Sequence, residues 1–224
     1  RSVMMLYQKT AEIYYKYLKD IIPYEVDNIR IKYFADQRAT GYATGMDVRI
    51  NGEFVKGIES WASLSFMKSA ENIKYYLSSD GTILSQTDVN NGADFVCDTL
   101  IKGIPRPSDQ KVNFSIFFQD YIPYIPSFKV NLKLVFGTGM PFGAPYSERY
   151  KQTMRMSAYR RVDIGFSKQL ISEKTSFKKG NPLKYISNCW LSLEVFNLLG
   201  IYNVSSYMWV TDVYNIQYAV PNYL

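Results

Sequence analysis

Phe128-Lys129-Val130-Asn131-Leu132-Lys133-Leu134 alternates large apolar residues with Lys and Asn without a break. Successive side chains of a β-strand point to opposite faces, so this segment carries one oily surface and one strongly polar surface. Three further stretches behave the same way: Lys111-Val112-Asn113-Phe114-Ser115-Ile116, Arg161-Val162-Asp163-Ile164-Gly165-Phe166-Ser167 and Trp190-Leu191-Ser192-Leu193-Glu194-Val195. Any half-buried antiparallel sheet produces such alternation. Here it persists over about ten residues per segment, close to the ~9–11 that a tilted strand needs to cross a bilayer. The fold expected is all-β, an antiparallel sheet of about eight long strands, each paired with its sequence neighbour, because no crossover helix is available for parallel pairing.

Upstream the pattern continues. Residues 11–18 read as a strand that ends at the turn Ile22-Pro23-Tyr24, since proline lacks an amide donor. Residues 28–33, 46–54 and 61–68 read as the next three strands, separated by turns near 36–41 and at Lys56-Gly57. A long polar connection follows over 72–108, with one helical turn expected at 95–102. Further connections fall at 122–126, 138–157 and 172–185, and a short alternating pair lies at 208–213 and 217–220. With the first strand pointing down, the turns near 20–26, 56–59, 122–126 and 172–185 share one side. The connections near 36–41, 72–108, 138–157 and 200–206 share the other, the division of short turns and long loops found in outer-membrane barrels.

Composition narrows the function. Aromatic residues make up 16% of the chain and Tyr supplies 20 of them, which suits rings placed where oil meets water, or a surface that binds sugar. The net charge of +6 is spread along the chain rather than gathered in a stripe, which argues against a nucleic-acid partner. The absence of histidine excludes His-based triads and His-ligated metal sites, and two cysteines, Cys97 and Cys189, make no disulfide framework. No apolar run reaches the ~18 residues of a transmembrane helix.

Tyr42-Ala43-Thr44-Gly45-Met46-Asp47, Val112-Asn113-Phe114-Ser115, Phe136-Gly137-Thr138-Gly139-Met140-Pro141-Phe142-Gly143 and Tyr159-Arg160-Arg161-Val162-Asp163-Ile164-Gly165 occur in this order. Together they resemble the C-terminal barrel region of TonB-dependent outer-membrane receptors of the type with an N-terminal carboxypeptidase-regulatory-like domain. Leu193-Glu194-Val195-Phe196-Asn197-Leu198-Leu199-Gly200 resembles the penultimate-strand signature of that family. The resemblance runs from about residue 9 to residue 224. It implies an incomplete transmembrane β-barrel, about eight of the ~22 strands of such a transporter, with no plug domain and no final strand within residues 1–224. It implies a place in the outer membrane of a Gram-negative bacterium and uptake of a scarce solute. The implied partners are outer-membrane lipid, the plug and remaining barrel of the same receptor, and the TonB energy-coupling complex acting through the plug. No cofactor, metal or enzymatic role is implied.

In such a barrel Val112, Phe114, Ile116, Val130, Leu132, Leu134, Val162, Ile164, Leu191, Leu193 and Val195 face lipid. Arg49, Glu53, Lys129, Lys133, Arg161, Asp163 and Glu194 face the lumen, where they either solvate the interior and pair across strands or contact the plug. Tyr75, Tyr76, Phe142, Tyr146 and Tyr150 fall on outer connections. There they either touch a solute or pack the loops. Asp163 and Glu194 also read as a carboxylate pair of a β-rich hydrolase, although each sits in a repeating polar phase that needs no catalytic reason. Cys97 and Cys189 are expected as lone thiols. The rival to the receptor is a soluble or surface-attached all-β carbohydrate-binding module, in which the apolar faces bury one another.

Overall fold

A computed structural model describes residues 7–27, 30–35, 37–55, 58–122, 124–144, 147–173, 175–176 and 181–223. In chain order its strands are β1 (Tyr7–Ile21), β2 (Tyr24–Asp27), β3 (Arg30–Tyr33), β4 (Ala39–Val55), β5 (Ile58–Leu77), β6 (Ile83–Leu84), β7 (Cys97–Pro105), β8 (Val112–Ile122), β9 (Ile125–Gly137), β10 (Pro141–Phe142), β11 (Met154–Arg155), β12 (Tyr159–Ile171), β13 (Cys189–Val195), β14 (Val204–Thr211) and β15 (Gln217–Tyr223). One helical turn, α1 (Gln86–Asn90), precedes β7, and 3-10 turns cover Arg149–Lys151 and Pro182–Tyr185. The main sheet runs β1-β4-β5-β8-β9-β12-β13 with every neighbour antiparallel. The pairs β2–β3, β10–β11 and β14–β15 stand apart from it.

The all-β, antiparallel expectation holds, with three corrections. The expected strand at 28–33 is no wall strand: Arg30–Tyr33 folds back on Tyr24–Asp27, and Asn28 and Ile29 lie outside the described residues. Residues 22–38 are therefore one connection, β1 pairs directly with β4, and β1 runs opposite to the direction first assigned. Second, the polar connection is shorter than 72–108. Strand β5 continues to Leu77, and Cys97–Pro105 returns along it as β7, while β8 pairs with its lower half. Third, the helical turn falls at Gln86–Asn90, where Ser85 accepts from the Asp88 amide and Asp88 bonds back to the Ser85 amide, a capping box. The main path thus has seven long strands, with β14–β15 as a separate hairpin rather than an eighth wall element.

Register sorts the two faces cleanly. Lys133 lies opposite Phe117 and Asp163, Asn131 opposite Gln119 and Gly165, and Gly165 opposite Glu194. Continuing across β5, β4 and β1, this face collects Trp61, Ser63, Ser65, Asp47, Arg49, Asn51, Gln8 and Thr10. Its hydroxyls and amides bond across strands, as in Ser63–Ser115 at 2.8 Å, Ser167–Ser192 at 2.9 Å and Asn51 donating to Gln8 at 3.2 Å. The other face carries Ile13, Met46, Val48, Leu64, Phe66, Phe114, Ile116, Leu132, Leu134, Val162, Ile164 and Leu193, and large side chains on it stay exposed. Ile13 is 84% accessible, Leu193 67%, Phe66 41% and Leu132 40%.

The charged residues that bound this apolar face are not level. On β12 they are Lys168 and Arg160. On β8 the lower bound is Asp120, which lies across Val130 from Phe166, two residues above Lys168. On β1 it is Lys9, whose row runs through Ile50, Ala62, Ile116 and Leu134 to Val162, six residues above Lys168. The upper bound climbs too: the row of Arg160 passes through Phe136 and Phe114 to Leu64, and Lys68 stands four residues beyond it.

True burial is concentrated at the end where residues 22–38, 78–111 and 138–158 connect the strands. Ala39, Ile73, Tyr75 and Ile104 form the buried cluster, with Ile21, Ile83, Ile101 and Tyr150 packed around it. The opposite end holds the connections after β4, β8 and β12. Cys97 begins β7 near the first end and Cys189 begins β13 near the second, and both are free thiols.

Candidate functional site

Two places gather the residues singled out from sequence. The first is a notch of ≈ 270 Å³ on the polar face, lined by Trp61, Phe117, Asn131, Lys133, Asp163, Glu194 and their neighbours. Cross-strand pairing builds it. Trp61 and Phe117 are partners in the ladder, their rings stack at 6.3 Å, and the Arg49 guanidinium lies 5.5 Å from the Trp61 centroid.

The seven charges expected on this face from the sequence divide by what holds them. Asp163 is 5% exposed. Its carboxylate accepts from Arg161 Nε at 3.0 Å and from the Asn197 amide at 2.9 Å. Arg161 also reaches the Tyr159 hydroxyl, at 3.2 Å, and lies over the Phe196 ring. These two residues therefore fasten the exit of β13 to β12. Asp163 has its oxygens engaged by a cation and a backbone amide, an arrangement that holds the carboxylate in place. Lys129 is pinned over the Trp190 ring at 4.5 Å and the Tyr121 ring at 5.2 Å. Lys133 and Glu194 border the notch itself. Glu53 sits away from it, opposite Glu59 near the turn that follows β4.

The turn after β13 explains its sequence. Asn197 adopts φ 52°, a left-handed conformation that Asn tolerates better than most residues. Its side chain accepts from the Ile201 amide at 3.1 Å and donates to the Ile201 carbonyl at 3.0 Å, closing the loop. Strand β13 stops at Val195, so the edge of β12 beyond it needs other partners. The Leu198 amide takes the Val162 carbonyl at 2.7 Å. Asn203, 4% exposed, imitates a strand by accepting from the Arg160 amide and donating to its carbonyl, both at 2.8 Å. Sequence reading did not single out Asn203; an Asn a few residues past a strand end carries no distinctive signal.

The second place is the lobe at the long-connection end, where the aromatic candidates separate. Tyr75 is not on a loop but on β5, 2% exposed, edge-on to Tyr150 at 5.2 Å. Burial pushes its phenol well above the usual range, and the neighbouring Glu25 carboxylate adds to the shift. Tyr76, also on β5, packs on Phe95, donates to Gln86 Oε1 at 2.8 Å and accepts from Gln37 Nε2 at 3.1 Å. Tyr75, Tyr76 and Tyr150 thus make ring and hydrogen-bond contacts that pack this lobe. Tyr146 lies outside the described residues. Phe142 lines a cleft of ≈ 260 Å³. It stacks on Tyr207 at 4.5 Å and 7°, with Trp209 at 6.3 Å.

Beneath this cleft lies a charge cluster that sequence reading missed because its members are far apart in the chain. Glu71 and Arg149, each with a side chain 3% exposed, meet at 2.5 Å, and Arg106 stands 3.8 Å from the same carboxylate. Arg149 also donates to Gln152 Oε1 at 3.0 Å and to the Pro105 carbonyl at 3.2 Å, and it lies 4.9 Å from the Tyr24 ring centroid. Nearby, Arg155 pairs with buried Asp109, whose carboxylate accepts from the Ser69 amide at 2.6 Å. Asp109 thereby replaces the ladder partner that β5 loses where Arg106-Pro107-Ser108-Asp109-Gln110 bulges out between β7 and β8. Both ion pairs tie the connection 138–158 to the top of β5.

No protein-family model, curated protein or solved structure matches this chain.

Proposed function

We propose that the chain is part of the barrel wall of an outer-membrane TonB-dependent receptor, taking up a scarce solute across the outer membrane of a Gram-negative bacterium. The observation that carries the reading is the climb of the apolar face across the sheet. Its lower bound moves six residues over the five steps from β12 to β1, and its upper bound four residues over the three steps from β12 to β5. With a rise of ~3.3 Å per residue and ~4.8 Å between strands, about 1.2 to 1.3 residues per strand corresponds to strands inclined by about 40° to one flat slab. That inclination is the one membrane barrels use, ~35–45°.

Exposure supports the same reading. The rival, a soluble module, needs its apolar face covered, whereas Ile13, Phe66, Leu132 and Leu193 are all exposed here. In a wall those residues meet outer-membrane lipid. The polar face with Arg49, Lys133 and Glu194 meets the plug, and TonB acts through that plug. Strands β1 and β13 each have one side unpaired among the described residues, and in the receptor the remaining barrel strands take those sides, because open edges are not tolerated in hydrocarbon. The role is one of wall and loop surface, without catalysis.

Fractionation of cells producing the full-length protein tests this. The protein is expected in the outer membrane, requiring detergent for extraction and changing its electrophoretic mobility on heating. Recovery in the aqueous fraction without detergent overturns the proposal.

A further inference from the structure

We infer that the cleft beside Phe142 is a binding site for a compact ring carrying one anionic oxygen group, such as a carboxylate. The inference deepens the receptor reading, on which it rests for the role of that ligand as solute. Two sets of side chains build the cleft. The Phe142 ring meets those of Tyr207 and Trp209, and the three make an aromatic wall. Tyr24 and Arg149 make the second set, the guanidinium lying against the ring. The volume of ≈ 260 Å³ is just below the usual range of ligand cavities, ~300–1,000 Å³, and suits one ring with a short substituent.

The charge follows from what Arg149 lacks. Its two terminal nitrogens are engaged by Glu71, Gln152 and the Pro105 carbonyl, but its Nε–H is buried and has no acceptor among the described residues. The Nε of Arg106 has no hydrogen-bond acceptor among the described residues either, Glu71 standing 3.8 Å away. Buried polar groups are nearly always bonded, so each unpaired donor marks a missing partner. The charges agree: two guanidiniums share the single carboxylate of Glu71. A ligand oxygen bearing negative charge, held in the cleft that Arg149 lines, supplies the missing countercharge, and charge-assisted contacts of this kind are the strong ones. The aromatic wall covers the flat face of the ring that carries it.

Titration calorimetry on the full-length protein, in detergent or buffer as its solubility requires, tests the assignment with benzoate and glucuronate as probes. Benzyl alcohol and glucose serve as their neutral counterparts. At least one anion is expected to bind tenfold or more tightly than its neutral counterpart, and the better of the two identifies an aryl or a sugar ring. Trp209→Leu and Phe142→Leu, which leave the ion pairs intact, are expected to weaken that binding at least tenfold, and Arg149→Lys to reduce the preference for the anion. Equal affinity for anions and neutral counterparts, no binding of either anion, or affinity unchanged in both aromatic variants overturns the inference. A membrane-assembled protein that fails this test loses the cleft and keeps the receptor. An aqueous protein that passes it keeps the cleft and loses the receptor.

Discussion

Replacing Leu132 by arginine discriminates most sharply between a wall in lipid and a sheet in water. Leu132 is midway between Phe128 and Phe136, the outermost apolar residues of β9 on that face, and it is 40% exposed, so no protein packing stands in for the surroundings. If those surroundings are hydrocarbon, it lies at the midplane, where arginine costs ~2–4 kcal/mol. At 1.36 kcal/mol per decade that is roughly a 30- to 1,000-fold shift toward the unfolded state. Phe136 is four residues away, about 10 Å from the midplane for ~3.3 Å per residue at a 40° tilt. There Phe136→Arg is expected to cost only ~0–1 kcal/mol from lipid contact. Lys133→Ser, on the opposite face, is expected to change stability by ~0.5 kcal/mol or less, as at an ordinary solvated site. Denaturant titration of the full-length protein in lipid vesicles measures all three. Equal costs at Leu132 and Phe136, or a cost near zero at Leu132, would refute the lipid-facing assignment.

Other consequences concern the lobe and the strand end. Arg149→Met leaves buried Glu71 with only the more distant Arg106 as a cation, and chemical denaturation is expected to register a loss of up to ~3–5 kcal/mol, the usual consequence of breaking one side of a buried pair. Asn203→Ala strips both backbone partners from Arg160 and is expected to cost ~1–3 kcal/mol, with faster amide exchange at the end of β12. Glu25 has its carboxyl raised above the usual range by burial, partly offset by the hydroxyl that Thr87 donates at 2.8 Å. A raised folded-state pKa favours the fold below the unfolded value of 4.5 and loses that advantage as pH rises through the folded value. Glu25→Gln is accordingly expected to strengthen amide protection in α1 and the β2–β3 hairpin at pH 7 and to change nothing at pH 4; the same gain at both pH values would count against it.

The face assignments were legible because period-2 alternation is a local property. Lys129, Lys133, Arg161, Asp163 and Glu194 needed only their neighbours in sequence, and register places all of them on one face. Lengths were less legible. Ile73 and Tyr75 alternate with Asn72 and Lys74, but in the opposite phase to Ala62, Leu64 and Phe66, so the segment read as a polar connection. Residues 28–33 alternate well enough for a wall strand, yet four residues of it suffice only for a short hairpin closing on Tyr24–Asp27. Nothing in the sequence pointed to the Glu71–Arg149 pair, separated by 78 positions, because loop packing brings the two together. Tyr75 looked like a loop aromatic for the same reason: its burial comes from Ile104 and Tyr150, contributed by segments read as connections.

Nitroxide scanning in lipid vesicles tests the central claim most directly, with Cys97 and Cys189 replaced by Ser and single labels placed along β1, β5, β9 and β12 of the full-length protein. Accessibility to oxygen should alternate with accessibility to a water-soluble nickel chelate, oxygen being favoured at Ile13, Leu64, Leu132 and Ile164. The depth of the oxygen maximum should climb along the register from β12 to β1 by about 1.2 residues per strand, as a 40° tilt requires. Labels at Leu132 and Lys133 that respond alike, or a maximum that stays level across the four strands, would contradict a tilted wall in a bilayer.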